Sequence, residues 1–325
     1  MRALVCKEYG PPDKLVIEDV DNPLPGDGEL LIDVHAAGIN FPDILVFAGK
    51  YQVRTEPPFI PGYEASGVVT ATGTGVSGFR PGDRVVVAPM GGGFAEQIVV
   101  PANQAFPLPD AMSFAEGAGF PIAYCTSYHA LRDCAALQQD ETLLVLGAAG
   151  GVGTTAIEIG KSMGARVIAA ASSAKKLAFA ESVGADQTIN YTDEKLRDAV
   201  KALTVGKGVD VVYDPVGGDL AEQALRSCGW HARYLVVGFA SGDIPRLPAN
   251  LALLKEASIR GVFWGQWAAT DPAGHARNLQ EMMSLLEAGE IRPRITHCYA
   301  LEDYVQAYAD VAGRRITGKT VFEIR

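Results

Sequence analysis

The segment Gly147-Ala148-Ala149-Gly150-Gly151-Val152-Gly153 stands between the apolar stretch Thr142–Leu146 and the helical stretch Thr154–Met163. Strand, glycine-rich turn and helix start in that order form a place for a phosphate. Gly150 lets the backbone approach a pyrophosphate, Gly153 lets the helix pack close to the strand, and the N–H groups of the helix start face negative charge. Ala148 takes the place of the first glycine of G-x-G-x-x-G, so the context carries more of the argument than the pattern does. Ala149, Gly150, Gly151, Val152 and Gly153 are therefore expected to bind a dinucleotide.

The choice of dinucleotide is read at the end of the second strand, where an acid accepts from the ribose 2′-OH of NAD. Here the chain runs Ala171-Ser172-Ser173-Ala174-Lys175-Lys176. No acid repels a 2′-phosphate, and hydroxyls and ammonium groups are at hand to bind one. The expected cofactor is NADPH.

A metal is not expected. Cys6, Cys125, Cys134, Cys228 and Cys298 are scattered, with no C-x-x-C pair. They read as buried or idle thiols. His35, His129, His231, His275 and His297 fall in no nucleophile or metal motif and read as surface or satisfied polar residues. Without a Lewis acid, the easier chemistry is hydride delivery to an acceptor that is already electrophilic, a quinone or a conjugated enone. The G-x-S-x-G elbow of hydrolases is absent.

These residues need a frame. The chain has 325 residues, 48% hydrophobic and 20% charged, with 28 Lys and Arg against 38 Asp and Glu, a net charge of −10. That size predicts two domains, and the acidic balance argues against nucleic acid or an anionic membrane as partner. No apolar run is long enough to span a bilayer and the start is not a signal peptide, so a cytoplasmic location is expected. Up to about residue 120, short β-branched runs (30–35, 67–72, 84–88 and 95–100) alternate with Gly, Pro and Asp, which predicts a β-rich, barrel-like domain. Thereafter strands at 142–146, 166–170, 187–189, 209–213 and 233–237 alternate with helices at 154–163, 174–182, 194–204 and 220–227, the pattern of a doubly wound parallel sheet. A helix over 271–288 closed by Gly289, a strand through Ile295 and Tyr299, a helix over 301–311 and a strand over 318–324 then return the chain to the first domain.

With these elements in place, the chain resembles the zinc-free quinone oxidoreductase branch of the medium-chain dehydrogenase/reductase superfamily. The match is carried by Gly38-Ile39-Asn40-Phe41-Pro42-Asp43, Pro61-Gly62-Tyr63-Glu64-Ala65-Ser66-Gly67-Val68-Val69, Pro81-Gly82-Asp83-Arg84-Val85, the glycine loop, and Gly318-Lys319-Thr320-Val321. Zinc-dependent relatives carry a cysteine where this chain has Asn40 and a histidine where it has Tyr63. The four-cysteine lobe of those relatives is missing, because Met90–Ala95 runs straight on.

The resemblance implies a GroES-like catalytic domain and a Rossmann-type domain inserted in it, with limits at 1–121, 122–262 and 263–325, and NADPH in the cleft. It implies that Lys176, Tyr191 and Ser172 hold the 2′-phosphate and that Asn40 and Thr126 lie near the nicotinamide. Gly217, Gly238 and Phe239 follow the fourth and fifth strands, and Lys319 joins the expected cofactor set. Phe263, with Trp264 and Trp267, either walls the cleft or forms an interface patch. Tyr51 and Tyr63, with Asn40, are the candidate catalytic residues lining the acceptor pocket, although Tyr63 could equally only pack there. Asp43 reads as a helix cap in preference to pocket lining. A homodimer is implied by the resemblance alone. The expected activity is NADPH-dependent quinone reduction; reduction of conjugated C=C bonds and a non-catalytic dinucleotide-binding role are the alternatives.

Overall fold

The structure, a computed structural model, describes residues 1–325. They form two compact units: residues 1–122 with 293–325, and residues 123–292.

The first unit opens with β1 (Arg2–Val5) paired antiparallel to β2 (Val16–Asp19). Its main sheet contains β3 (Glu29–Ile39), β4 (Ala65–Thr72), β5 (Arg84–Val87), β6 (Gln97–Pro101) and β7 (Ala105–Pro107). In β3 the side chains of Leu30, Ile32 and Val34 alternate into the core and are fully buried, as a half-buried strand requires. Bulges at Leu31/Ile32 and Val34/Ala36 re-aim β3, which pairs with both β4 and β6. Its end delivers Asn40 to the start of the helix Phe41–Phe47.

The second unit is a sheet of six parallel strands: β8 (Thr142–Leu146), β9 (Arg166–Ala171), β10 (Gln187–Asn190), β11 (Val209–Asp214), β12 (Cys228–Val236) and β13 (Ser258–Gly261). Their order is β10-β9-β8-β11-β12-β13, so the sequence order reverses between β8 and β11, the topological switch of a Rossmann fold. Leu143–Leu146 and Val167–Ala170 are fully buried, as expected of strands covered on both faces. Helix Gly151–Ser162 is buried from Gly153 to Gly160.

The return segment adds β14 (Ile295–Ala300), parallel to β15 (Lys319–Glu323), and β15 pairs antiparallel with β3. The parallel-sheet unit is thus an insertion between strands of one sheet.

Two expectations need correction. The return begins at Pro293, not residue 263, because helix Pro272–Glu287 is bound into the second unit: Glu281 accepts from Arg132 and Tyr128, and Asn278 donates to Asp133. A sixth strand, β13, was not expected; Ser258-Ile259-Arg260-Gly261 is short and largely exposed, with none of the apolar run that marks the inner strands. Only its pairing to β12 makes it a strand.

A candidate dinucleotide site and a buried polar cluster

In the second unit, the expected cofactor residues lie at one end of the sheet. The glycine loop follows β8, Ser172 to Lys176 follow β9, Tyr191 follows β10, Gly217 follows β11, Gly238 and Phe239 follow β12, and Phe263 follows β13. All stand at the carboxyl ends of parallel strands, where open α/β sheets bind ligands. The glycine loop fits a close-packed cradle. A Cβ on Gly153 would run into the Gly147 carbonyl and lie 2.9 Å from Ala148 Cα, so the helix approaches the loop only because the side chain is missing. Gly150 is the N-cap, and Thr154 N donates back to its carbonyl at 2.8 Å.

Thr126 lies on helix Pro121–Tyr128, partly exposed. Its neighbour Ser127 fixes that helix against the loop: its Oγ bonds Val152 O at 3.1 Å, Thr155 Oγ1 at 2.7 Å and Tyr213 OH at 2.8 Å. After β9, the Ser173 side chain caps helix Ala174–Ser182, and Lys176 Nζ donates to Ser172 Oγ at 3.2 Å. Helix start, hydroxyl and ammonium thus share one turn.

Asp214 was given no role by sequence reasoning. Its Oδ1 accepts from Val216 N and Gly217 N, each at 2.8 Å, and its Oδ2 accepts from Tyr234 OH. This bracing holds Gly217 at φ +67°, ψ −147°, a conformation open essentially to glycine alone. Ala240 N and Ser241 N then donate to Pro215 O and Val216 O, joining the loops after β11 and β12. Phe263 is half exposed and precedes helix Trp264–Thr270.

In the first unit, Asn40 and Lys319 are brought together, and Glu64 joins them. Lys319 Nζ donates to Glu64 Oε1 at 2.6 Å, to Asn40 Oδ1 at 2.8 Å and to Ile39 O at 3.3 Å. Asn40 Nδ2 donates to Glu64 Oε1 at 2.7 Å, and Ile122 N donates to Glu64 Oε2 at 2.8 Å. Glu64 is fully buried and Lys319 is 4% exposed. The three N–H groups of Lys319 therefore all have acceptors within the unit, which makes Lys319 a residue that orients the Asn40 amide. An ammonium on β15 facing β3 meets these carbonyl, amide and carboxylate acceptors within its own unit. Glu64 sits inside the quoted segment Pro61–Val69, but no local signal marks it as paired to a lysine 255 residues away.

Asp43 is the cap it was expected to be: its Oδ2 accepts from Asn40 N at 2.8 Å. Tyr308 OH donates to the same oxygen at 3.0 Å, while Oδ1 has no partner. Full burial pushes the Asp43 carboxyl up to about 7. Burial, reinforced by Asp43, raises the Tyr51 phenol and pushes Tyr63 up to about 12, so both stay protonated near neutrality. No three His, Cys, Asp or Glu side chains anywhere in the chain converge as a metal site would need.

Comparison with known proteins agrees with the fold. The alcohol dehydrogenase GroES-like domain family matches residues 26–110, and the zinc-binding dehydrogenase family matches residues 151–287. The chain is 39% identical over 325 residues to quinone oxidoreductase-like protein 2 of Bos taurus, covering all of this chain and 93% of that protein. It is 31% identical over 324 residues to the quinone oxidoreductase of Homo sapiens, covering 99% and 97%. Among solved structures, the Escherichia coli quinone oxidoreductase complexed with NADPH superposes with a TM-score of 0.93 at 30% identity, each chain covered completely. Two matching domain families, and full-length relatives above 30% identity, agree with the strand order and the inserted topology. The chain belongs to the medium-chain dehydrogenase/reductase superfamily, in its quinone oxidoreductase branch.

Proposed function

We propose that the protein is an NADPH-dependent oxidoreductase that reduces quinones without a metal. The observation that carries the cofactor choice is the turn after β9, where Ser172, the capping Ser173 and Lys176 share one helix start with no acid among them. These groups would hold the 2′-phosphate together with Tyr191 after β10, whose backbone N–H donates to Ala171 O at the end of β9 at 3.2 Å. Ala149 to Gly153 would receive the pyrophosphate on backbone N–H groups. When bound, the reduced nicotinamide supplies the hydride. The rest falls to the chain's own residues.

Asn40, with its amide oxygen and nitrogen both fixed by Lys319 and Glu64, is a rigid polar group and cannot rotate without breaking buried bonds. Tyr51 and Tyr63, kept protonated by burial, are the groups that would donate a proton to a reduced oxygen or stack on a flat acceptor. The quinone as acceptor is supported by the branch of the family and by the lack of any convergent metal-ligand set that would polarise an unactivated ketone.

Initial rates of NADPH oxidation with 1,4-benzoquinone, 9,10-phenanthrenequinone and a simple enone test the reading, with NADH as control donor. Turnover is expected with the quinones; turnover with the enone alone would move the protein to the ene-reductases, and tight NADPH binding with no turnover on any acceptor would make it a binding protein. Lys176→Ala is expected to weaken NADPH by about 10–100-fold, the worth of a charge-assisted hydrogen bond, and to leave NADH nearly unchanged. Equal losses for both would remove the 2′-phosphate assignment.

A further inference from the structure

The second unit also carries a nucleophile, a base and an orienting carboxylate within one turn of backbone, at residues to which the proposed reaction gives no role. Residues His129–Cys134 form a π-helical turn, a rare form whose i→i+5 period sets Cys134 over His129. Cys134 Sγ lies 3.4 Å from His129 Nε2, and His129 Nδ1 lies 2.9 Å from Asp133 Oδ2. For Nε2 to accept from the thiol, Nδ1 must carry the ring proton and donate it to Asp133, which fixes the tautomer.

The arrangement is held from several sides. Asp133 Oδ2 also accepts from Asn278 Nδ2 at 2.7 Å, and Arg132 Nη1 lies 3.4 Å from Oδ1. Arg132 grips Glu281 with two bonds of 2.7 and 2.8 Å. The His129 ring stacks on Trp267 at 4.1 Å and 20°. His129 is buried, whereas Cys134 is partly exposed, so the base lies deeper than the residue that carries the thiol. Burial and the Asp133 charge hold the thiol above its ordinary range, against the pull of Arg260. The resting sulfur therefore keeps its proton, and attack needs a base. Nucleophile, base and orienter within hydrogen-bond reach are the recurring signature of an activated thiol. Cys6, Cys125 and Cys228 are buried, as expected of idle thiols, and His129 is satisfied by Asp133; at Cys134 the geometry adds a role that the sequence does not show.

We propose that Cys134 is a covalent capture site for α,β-unsaturated carbonyl compounds, with His129 as general base and Asp133 as the residue that orients it. Conjugate addition uses both actions of such a base, and unlike acyl transfer it needs neither an oxyanion hole nor a place for a leaving group. His129 Nε2 takes the thiol proton as Sγ bonds to the β-carbon. The C=C electron pair moves onto the carbonyl as an enolate, and His129 returns the proton to the α-carbon. One S–H bond and one π bond are replaced by S–C and C–H bonds; nothing is oxidised or reduced, and nothing leaves. This site stands independently of which acceptor the dinucleotide reaction uses.

The test is peptide mapping by mass spectrometry after exposure of the full chain to 2-cyclohexen-1-one at neutral pH, with the exposed Cys298 as internal control. Cys134 is expected to be modified about 100-fold faster than Cys298, the usual worth of a positioned general base. His129→Gln should bring Cys134 down to the rate of Cys298. Asp133→Asn should lower the maximal rate at saturating enone and leave the half-saturating concentration unchanged, a split that simple loosening of the turn would not give. A Cys134 rate in the wild-type protein at or below that of Cys298 overturns the proposal, whatever the variants do. An unchanged Cys134 rate in His129→Gln overturns it too.

Discussion

The two candidate regions are built from different materials. The carboxyl end of the parallel sheet is made of backbone: glycines, helix starts and loops braced by Asp214 and Ser127, with side chains entering mainly after β9 and β10. The cluster in the first unit is made of side chains: Asn40, Glu64 and Lys319 come from β3's end, the segment before β4, and β15, and meet as a buried ion pair around one amide. A backbone site tolerates many sequences as long as the glycines remain. A buried charge cluster tolerates few, because each member desolvates the others and must also satisfy them.

That contrast is broken most forcefully at Glu64. Glu64→Gln leaves the Lys319 ammonium buried without its counter-charge, and is expected to cost about 3–5 kcal/mol in denaturant unfolding. The double variant Glu64→Gln/Lys319→Met should recover much of the loss. A single-variant cost under about 1 kcal/mol would show that the pair does not hold the cluster together.

Asp43 sharpens the same side of the comparison through pH. Its folded carboxyl is raised to about 7 from an ordinary 3.8, so between these values the folded state binds more protons than the unfolded state. Its contribution to stability is therefore full at low pH and is lost as pH rises through about 7. Asp43→Asn stays neutral throughout, so the stability of wild type relative to this variant should fall by on the order of 3 kcal/mol from pH 4 to pH 8. Unfolding curves at the two pH values measure it; an unchanged difference would mean that the carboxyl stays ionised when buried.

On the backbone side, Gly153→Ala should leave the fold in place and weaken NADPH by about 10–100-fold, since its Cβ needs the space held by the Gly147 carbonyl. Fluorescence titration reads this, and an affinity equal to wild type would mean that the helix can retreat at no cost. The smallest effect is expected at Ser127→Ala, which leaves the buried Tyr213 hydroxyl without its partner for about 1–2 kcal/mol of stability. Thermal unfolding would detect it as a modest drop in Tm.

The same contrast explains which parts could be read from the chain. The glycine loop, five of the six parallel strands and the turn after β9 are local patterns: apolar runs, glycine spacing and a missing acid are all visible within a few residues. β13 was not legible, because four mostly exposed residues become a strand only by pairing with β12. The boundary at Pro293 was not legible either, since the Arg132–Glu281 and Asp133–Asn278 bonds that keep helix Pro272–Glu287 with the second unit span about 150 residues. The π turn at His129–Cys134 escaped for a related reason: in a sequence, residues five apart lie on different sides of an α-helix, and only the wider turn stacks them.

The sequence by itself determined the alternation of strands and helices, the phosphate cradle and the absence of an acid at the ribose position, because each depends on neighbours along the chain. The tertiary structure alone decided that Lys319 turns inward to Glu64 and Asn40, that Asp43 is a carboxyl with one unpartnered oxygen, and that a cysteine stands 3.4 Å from a histidine held by an aspartate. Those are properties of desolvated groups, and which groups lose their water is settled only when distant segments close over them.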